Sequence, residues 1–245
     1  MPVIEISNLR KTYGQTVAVS DVSFTVDSGE IFGILGPNGA GKTTTVEVLS
    51  GLRRRDGGTV RVLGKDPDRD GAELRELVGV QLQESELPER IRVWEALDLY
   101  SSFYRKPADW RELLDVLGLS ARRDARYGTL SGGQKQRLSI ALALVGDPQV
   151  AVLDELTTGL DPAARRETWA LIESVRNRGV TVVLVTHFMD EAERLCDRVA
   201  VIDAGRTVAV DKPAALIAKV QAERGLTRAT LEDAYLALTG HEIGV

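Results

Sequence analysis

The pattern of hydrophobic and polar residues predicts a protein in which strands and helices alternate. Val22, Phe24 and Val26 occupy every second position, which indicates a strand with one buried face. The run 150–153 is continuously apolar, as is typical of a parallel strand covered on both faces. Further strands are predicted at 3–9, 30–35, 59–62, 77–82, 180–185, 198–202 and 207–210. The sequence therefore indicates an α/β fold.

Helical patterns fill the gaps between these strands. The helix 162–178 is predicted to begin after Asp161, a candidate N-cap, and to end at Gly179. Other helices are expected after the glycine-rich loop at 44–50, at 135–145 and at 226–238, and a helical pattern extends from Leu87 to about Gly128, with Gly118 ending its second helix.

These patterns predict one domain with an inserted part. Residues 1–86 and 148–225 are expected to form the α/β core, in which the N-terminal strands make an antiparallel β subdomain. Residues 87–147 are expected to form an inserted α-helical subdomain, and 226–245 a C-terminal helix. The last two strands should meet at a turn at Ala204–Gly205.

Composition narrows the functional classes. Of the 245 residues 43% are hydrophobic but only 5% aromatic, so the core should be aliphatic. The net charge of −5 argues against a nucleic-acid-binding protein, and the single cysteine, Cys196, excludes an intramolecular disulfide. We expect no signal peptide, because the N-terminus has no basic region followed by an apolar stretch, and no membrane span, because no apolar run approaches ~20 residues. Any membrane role must then come through a partner.

The segment 36–44, Gly-Pro-Asn-Gly-Ala-Gly-Lys-Thr-Thr, fits the pattern G-x-x-x-x-G-K-[ST] of a phosphate-binding P-loop. A predicted strand precedes it and a predicted helix follows it, as such a cradle requires. Glycines allow several backbone N–H groups to approach one anion, and the helix N-terminus adds partial positive charge. Lys42 is expected to reach the β- and γ-phosphates and Thr43 to bind Mg²⁺.

Two acids follow the apolar strand at 150–153. Ligands bind beyond the carboxyl ends of the strands in open α/β sheets. Asp154 is therefore expected to hold the Mg²⁺ of the P-loop, and Glu155 to polarise the water that attacks the γ-phosphate.

The segment Leu130-Ser-Gly-Gly-Gln134 provides a second anion site at the start of a predicted helix. We call it the signature segment. One nucleotide cannot use two separate helix-start cradles on one subunit if they lie on different lobes. A symmetric dimer, in which each Ser131 site faces the P-loop of the other copy, solves this problem.

Together, the P-loop, the signature segment and the Asp154–Glu155 pair resemble the ATP-binding subunits of ABC transporters. The resemblance covers essentially the whole chain, and Leu-Ser-Gly-Gly-Gln is highly specific to that superfamily. It implies that Tyr13 stacks on adenine and that Gln83, in preference to the nearby Gln81, is the Q-loop glutamine that contacts Mg²⁺ and the catalytic water. It also implies a D-loop at 159–161 and a switch histidine at His187, which contacts the γ-phosphate.

The resemblance completes the expected site, with MgATP as the nucleotide. The residues expected to be catalytic are Lys42, Gln83, Glu155 and His187, and those expected to hold Mg²⁺ are Thr43, Gln83 and Asp154. The residues expected to contact ATP are Tyr13, Gly36, Asn38, Gly39, Ala40, Gly41, Lys42, Thr43, Thr44, Ser131, Gly132, Gly133, Gln134 and Asp161.

The family further implies partners and a location. The chain is expected to pair with a second ATPase subunit, as a homodimer or with a paralogue, and to dock on a separate transmembrane permease subunit at the cytoplasmic face of the membrane. The run 230–240 is similar to the ends of ATPases that serve ABC-2-type and drug-resistance exporters. One departure is Leu156, since the family usually has proline after the catalytic glutamate.

Two other classes remain open at this point. One is a soluble ABC ATPase that acts on DNA or ribosomes, although the chain has neither a long coiled coil nor a second copy of the motifs. The other is a binding module that does not hydrolyse its ligand, against which Glu155 and His187 argue.

Overall fold

A computed structural model describes residues 2–82 and 87–240. These residues fall into two compact units. The first unit contains residues 2–74 and 183–240, and the second contains residues 75–82 and 87–182. One of the two boundaries between them, at Val182 and Val183, falls inside a strand.

The elements alternate as an α/β protein requires. The strands are β1 Pro2–Tyr13, β2 Thr16–Asp27, β3 Ile31–Leu35, β4 Gly57–Val62, β5 Val78–Gln81, β6 Val150–Asp154, β7 Thr181–Thr186, β8 Arg198–Asp203 and β9 Arg206–Asp211. The helices are α1 Lys42–Leu49, α2 Gly71–Leu74, α3 Val93–Ser101, α4 Trp110–Val116, α5 Gly132–Leu144, α6 Pro162–Asn177, α7 Met189–Leu195, α8 Pro213–Arg224 and α9 Leu231–Thr239.

In the first unit, the sheet has the strand order β4-β1-β2-β9-β8-β3. β1 pairs antiparallel with both β2 and β4, which agrees with the expected N-terminal antiparallel piece, and β3 runs parallel to β8. Val22, Phe24 and Val26 are all buried, as their alternation predicted. The Phe24 and Phe32 rings stack with centroids 5.1 Å apart, so β2 and β3 share one core.

The predicted turn between the last two strands is a two-residue hairpin. Asp203 pairs with Arg206, and Ala204 and Gly205 between them have φ values of 45° and 74°. Positive φ at both central residues matches the right-handed twist of the flanking strands. Gly205 also accepts hydrogen bonds from the backbone of Ser20 and Asp21, which ties this hairpin to β2.

In the second unit, β5 runs parallel to β6, and α5 packs against both. The packing of α5 on β5 leaves no room at Gly79, where a Cβ would lie 1.9 Å from the Ala143 carbonyl oxygen. Helix α4 ends as predicted at Gly118, with φ 65°. The N–H of Leu119 bonds to the Leu114 carbonyl and that of Gly118 to the Asp115 carbonyl, which is a Schellman motif.

Two predicted helical stretches differ from the structure. The pattern over 87–128 yields α3 and α4 with short 3-10 turns at 120–122 and 127–129, so it is less helical than expected. The prediction of helix at 226–230 was wrong. Gly225, with φ 63°, ends α8, and α9 starts only at Leu231, where the Thr230 Oγ1 accepts a bond from the Asp233 N–H at 3.2 Å.

Helices α2, α7 and α8 were not predicted. The predicted division of the chain into an α/β core, an inserted helical subdomain at 87–147 and a C-terminal helix from 226 stays a prediction. Among the residues the structure describes, no helix combines the length and apolar character needed to cross a bilayer.

Candidate active site

The P-loop joins β3 to α1 in the first unit. Gly41 is the N-cap of α1 and has φ 98°, which L side chains rarely adopt. A Cβ there would lie 2.6 Å from the Ala18 carbonyl oxygen, and one at Gly36 would lie 2.2 Å from the Ile202 carbonyl oxygen. Only glycine fits these two positions, so the loop can keep its backbone close to β2 and β8.

Lys42 crosses back over this loop. Its side chain is 5% exposed, and its Nζ donates hydrogen bonds to the carbonyls of Gly36 at 2.8 Å and Pro37 at 3.0 Å. Asn38, Gly39 and Thr43 are exposed on the same loop. A buried cation, exposed backbone around it and a helix N-terminus without acidic residues together suit a polyphosphate anion.

Tyr13 ends β1 and is 38% exposed. The Lys11 Nζ lies 5.5 Å and the Arg53 Cζ 5.1 Å from its ring centroid. Arg53 is in turn bound by both carboxylate oxygens of Glu47 on α1. Both cations lie over the ring, and an exposed aromatic ring of this kind can stack on a planar base.

His187 follows β7 in the first unit, as predicted. The Phe188 N–H bonds to the Thr186 Oγ1 at 3.0 Å, and the His187 and Phe188 rings lie 4.1 Å apart. The imidazole is half-buried beyond the carboxyl end of the strand, directly before α7. This end of the sheet is where α/β proteins bind ligands.

In the second unit, Asp154 is the buried last residue of β6 and Glu155 follows it. Glu155 has φ 50°, an unusual value for a residue that is not glycine. Its carbonyl accepts a bond from the Thr158 N–H at 3.3 Å, and Leu156 and Thr157 inside this turn are fully buried. The turn therefore holds the half-buried Glu155 in a conformation that costs about 1–2 kcal/mol.

The signature segment begins α5. Ser131 is the N-cap, its Oγ accepts a bond from the Gln134 N–H at 3.3 Å, and the Gln134 Oε1 accepts one from the Ser131 N–H at 3.1 Å. Ser131 and Gly132 are exposed. The reciprocal bonds fix the first turn and leave the end of α5 accessible to an anion.

Asp161 caps α6, as expected. Its Oδ1 accepts bonds from the N–H groups of Ala163 at 2.9 Å and Ala164 at 3.0 Å, and these bonds lower the pKa of the carboxyl. Asp161 thus has a structural role at the helix start as well as its predicted role in the D-loop.

Comparison with known proteins assigns the family. The family model described as "ABC transporter" matches residues 19–158, which is more than half of the chain. The chain belongs to the ABC transporter family. Since ABC ATP-binding proteins couple ATP hydrolysis to transport, it is an ATPase and it binds ATP.

Proteins similar in sequence to this ABC ATPase are named as ATP-binding subunits of exporters. It is 45% identical over 224 residues to Nod factor export ATP-binding protein I of Burkholderia lata, covering 89% of this chain and 74% of that protein. It is 43% identical over 222 residues to the protein of the same name in Rhizobium etli, covering 89% and 70%.

The fold of the ABC ATPase likewise matches solved structures. A structure described as the ATP-binding subunit of an ABC transporter has a TM-score of 0.83 at 27% identity and covers 96% of this chain and 99% of that one. CbiO1 of Clostridium perfringens, described as part of the ABC transporter complex cbiONQ, has a TM-score of 0.80 at 29% identity, with coverage of 92% and 94%. The predicted α/β ABC ATPase fold is confirmed.

The predicted site residues of this ABC ATPase are divided between the two units. Tyr13, the P-loop and His187 belong to the first, and Asp154–Glu155, the signature segment and Asp161 to the second. Gln83 lies outside the described residues. Gln81, the other candidate for the Q-loop, is the buried last residue of β5.

Sequence reasoning missed the surroundings of Tyr13. Lys11 and Arg53 lie beside its ring, yet Arg53 belongs to the charged run 53–56, which resembles an ordinary solvated loop. One signal was available for Lys11, since residues two apart in a strand lie on the same face, whereas Arg53 reaches Tyr13 only through the folded chain.

Proposed function

We propose that this chain is the ATP-hydrolysing subunit of an ABC exporter. The observation that carries the proposal is its 45% identity, over 89% of its length, to a protein named for Nod factor export. The similarity of 230–240 to the ends of ABC-2-type and drug-resistance ATPases supports that exporter class. The cargo would be selected by a membrane subunit.

In the proposed reaction, the P-loop N–H groups and Lys42 neutralise charge on the triphosphate while the γ-phosphoryl group is transferred to water. Glu155 orients and polarises that water, and His187 contacts the γ-phosphate. Phosphoryl transfer has a highly charged transition state, so catalysis depends on placing these groups correctly.

Mg²⁺ would be held by Thr43, Asp154 and Gln83 together with ATP. Within residues 2–82 and 87–240, no group of three or more His, Cys, Asp or Glu side chains is arranged to hold a metal. Asp154 supplies one buried carboxylate. This donor set fits Mg²⁺, which proteins commonly bind through one or two carboxylates and substrate phosphates; when bound, it would offset phosphate charge.

Two copies are proposed to share each ATP, most simply as a homodimer. The exposed start of α5, with Ser131 to Gln134, would face the P-loop of the other copy. Asp161 would pass between the copies in the D-loop. Because each copy gives the other the same surface, the pair would be isologous.

A transmembrane permease subunit would bind the exposed apolar residues at the end of α3 and just beyond it, together with the loop after Gln83. Leu99 is 47% and Phe103 66% exposed, and the Phe103 ring contacts Tyr100 at 5.7 Å between centroids. Exposed apolar clusters of this kind mark protein interfaces. Docking there would keep the ATPase at the cytoplasmic face of the membrane, where ATP is supplied.

The variant Glu155→Gln tests this proposal. In a complex with its membrane subunit, the wild type should release phosphate from ATP, and Glu155→Gln should bind ATP but hydrolyse it about 100-fold more slowly. Because Glu155→Gln should keep its ATP bound, it should also stay in the ATP-bound dimer and sediment as a dimer. Unchanged turnover would remove Glu155 from its role, and failure of the wild type to bind any membrane subunit would refute the exporter assignment.

A further inference from the structure

The guanidinium of Arg53 lies over the ring of Tyr13, although the two residues come from different parts of the chain. Tyr13 is the last residue of β1, and Arg53 lies in the loop between α1 and β4. The Arg53 Cζ is 5.1 Å from the centroid of the ring. A guanidinium within about 6 Å of an aromatic face is attracted to it. The contact therefore restricts the orientation of a ring that is 38% exposed.

Glu47 on α1 fixes this guanidinium. The Arg53 Nε and Nη2 donate to the two carboxylate oxygens of Glu47, and the N–H groups of Leu52 and Arg53 bond to the Glu47 carbonyl at 2.9 and 3.1 Å. A bidentate pair of this kind sets the plane of a guanidinium as well as its position. The Arg53 and Glu47 side chains are 39% and 21% exposed, so the pair should contribute little to the stability of the fold.

Helix α1 also carries the phosphate site. Lys42 is its first residue, and Glu47 lies in its last turn. A helix is a stiff connection, because backbone hydrogen bonds link its successive turns. Glu47 and Arg53 thus connect the helix of the P-loop, which is expected to bind the phosphates, to the ring that is expected to stack on adenine.

A second carboxylate ties the end of β1 to the same loop. Asp56 accepts hydrogen bonds from the Lys11 Nζ at 2.9 Å and from the Thr12 N–H at 2.7 Å. These bonds hold the backbone that leads to Tyr13 against the loop that supplies Arg53. The loop therefore restrains both the backbone before the ring and the ring itself.

We infer that Arg53 is a positioning residue for the nucleotide base and acts through Tyr13. Held by Glu47, its guanidinium keeps the Tyr13 ring in a fixed place relative to the P-loop helix, so that a base can stack on the ring while its phosphates occupy the P-loop. The inference rests on the proposed function, because it requires ATP bound with its adenine on Tyr13.

The test measures equilibrium binding of ATP and of inorganic triphosphate to the full chain. Arg53→Ala should weaken ATP binding about threefold to fivefold, which is the effect of losing an exposed cation–π contact. It should leave triphosphate binding unchanged, because triphosphate has no base. Glu47→Gln keeps the volume of the side chain but frees the guanidinium, and it should weaken ATP binding about twofold. This second variant keeps the test decisive if Arg53→Ala folds poorly.

The sign of the Glu47→Gln effect separates positioning from a simple effect of charge. If only charge matters, removing a carboxylate near an anionic ligand strengthens binding of both ATP and triphosphate. Positioning predicts weaker binding of ATP alone. Arg54→Ala is the matched control, because it removes the same charge from the neighbouring exposed arginine and should change neither affinity by more than about twofold.

A double-mutant cycle checks that Arg53 acts through the ring. In a chain that already carries Tyr13→Ala, Arg53→Ala should have no further effect on ATP affinity. An Arg53→Ala variant that binds ATP as the wild type does, or that loses affinity equally for ATP and triphosphate, would overturn the inference. Tighter ATP binding by Glu47→Gln, or an undiminished loss in the Tyr13→Ala chain, would do the same. A wild type that binds ATP but does not hydrolyse it would instead refute the proposed function, so the two failures can be told apart.

Discussion

Replacement of Gly41 by alanine should destabilise the protein far more than the same change at Gly39. Both glycines lie in the P-loop with positive φ, 98° at Gly41 and 81° at Gly39. Each alanine must therefore adopt a backbone conformation that costs about 1–2 kcal/mol. The two positions differ in the space available for the added methyl group.

At Gly39, a Cβ would meet nothing within 4 Å, so the conformational cost is the whole effect. At Gly41, it would lie 2.6 Å from the Ala18 carbonyl oxygen and 3.1 Å from the Val19 Cγ2. The carbonyl belongs to the backbone of β2 and cannot rotate away. Overpacking of this kind adds about 1–3 kcal/mol, so we expect a total of about 2–5 kcal/mol at Gly41.

Thermal unfolding without nucleotide measures this difference directly. For a chain of this size, 1 kcal/mol shifts the melting temperature by about 2–4 °C, so Gly41→Ala should melt roughly 2–12 °C below Gly39→Ala. Omitting nucleotide matters, because ATP would stabilise whichever variant binds it better. Equal melting temperatures for the two variants would refute the claim that contact with β2 requires glycine at position 41.

Two further predictions concern the adenine platform and a buried ion pair. Tyr13→Ala should weaken ATP binding about tenfold through lost stacking but leave the affinity for inorganic triphosphate unchanged. Tyr13→Phe is the control, because it retains the ring. Equal losses of affinity for both ligands would exclude a contact with the base. The Arg55 guanidinium donates two 2.8 Å bonds to Asp66 and lowers the pKa of that carboxyl to about 2, below its value of about 3.9 in an unfolded chain. The contribution of this ion pair to stability should be present above about pH 4 and lost as the pH falls through 2. In urea unfolding, the free energy of unfolding of Arg55→Met should therefore lie below that of the wild type at pH 6, and the gap should be smaller at pH 2.5. A gap of the same size at both pH values would contradict this assignment.

Local sequence determined those features whose partners are a few residues away. The Asp161 cap, the Gly118 helix end and the Ala204–Gly205 hairpin could be predicted because each depends on a short run of side chains and backbone groups. The P-loop and the signature segment could be recognised for the same reason. Prediction failed at 226–230, because Gly225 ends one helix and Thr230 caps the next, and these two local signals were not used.

Tertiary structure alone decided the surroundings of these motifs. The left-handed backbone of Glu155, the Arg53 guanidinium over Tyr13 and the buried amide of Gln81 depend on packing between segments that are distant along the chain or on turns without a sequence signature. Hydrophobic periodicity reports which face of an element is buried, but not which atoms lie opposite it. The ATPase assignment could therefore be predicted from the motifs, while the contacts that restrain each predicted site residue required the folded structure.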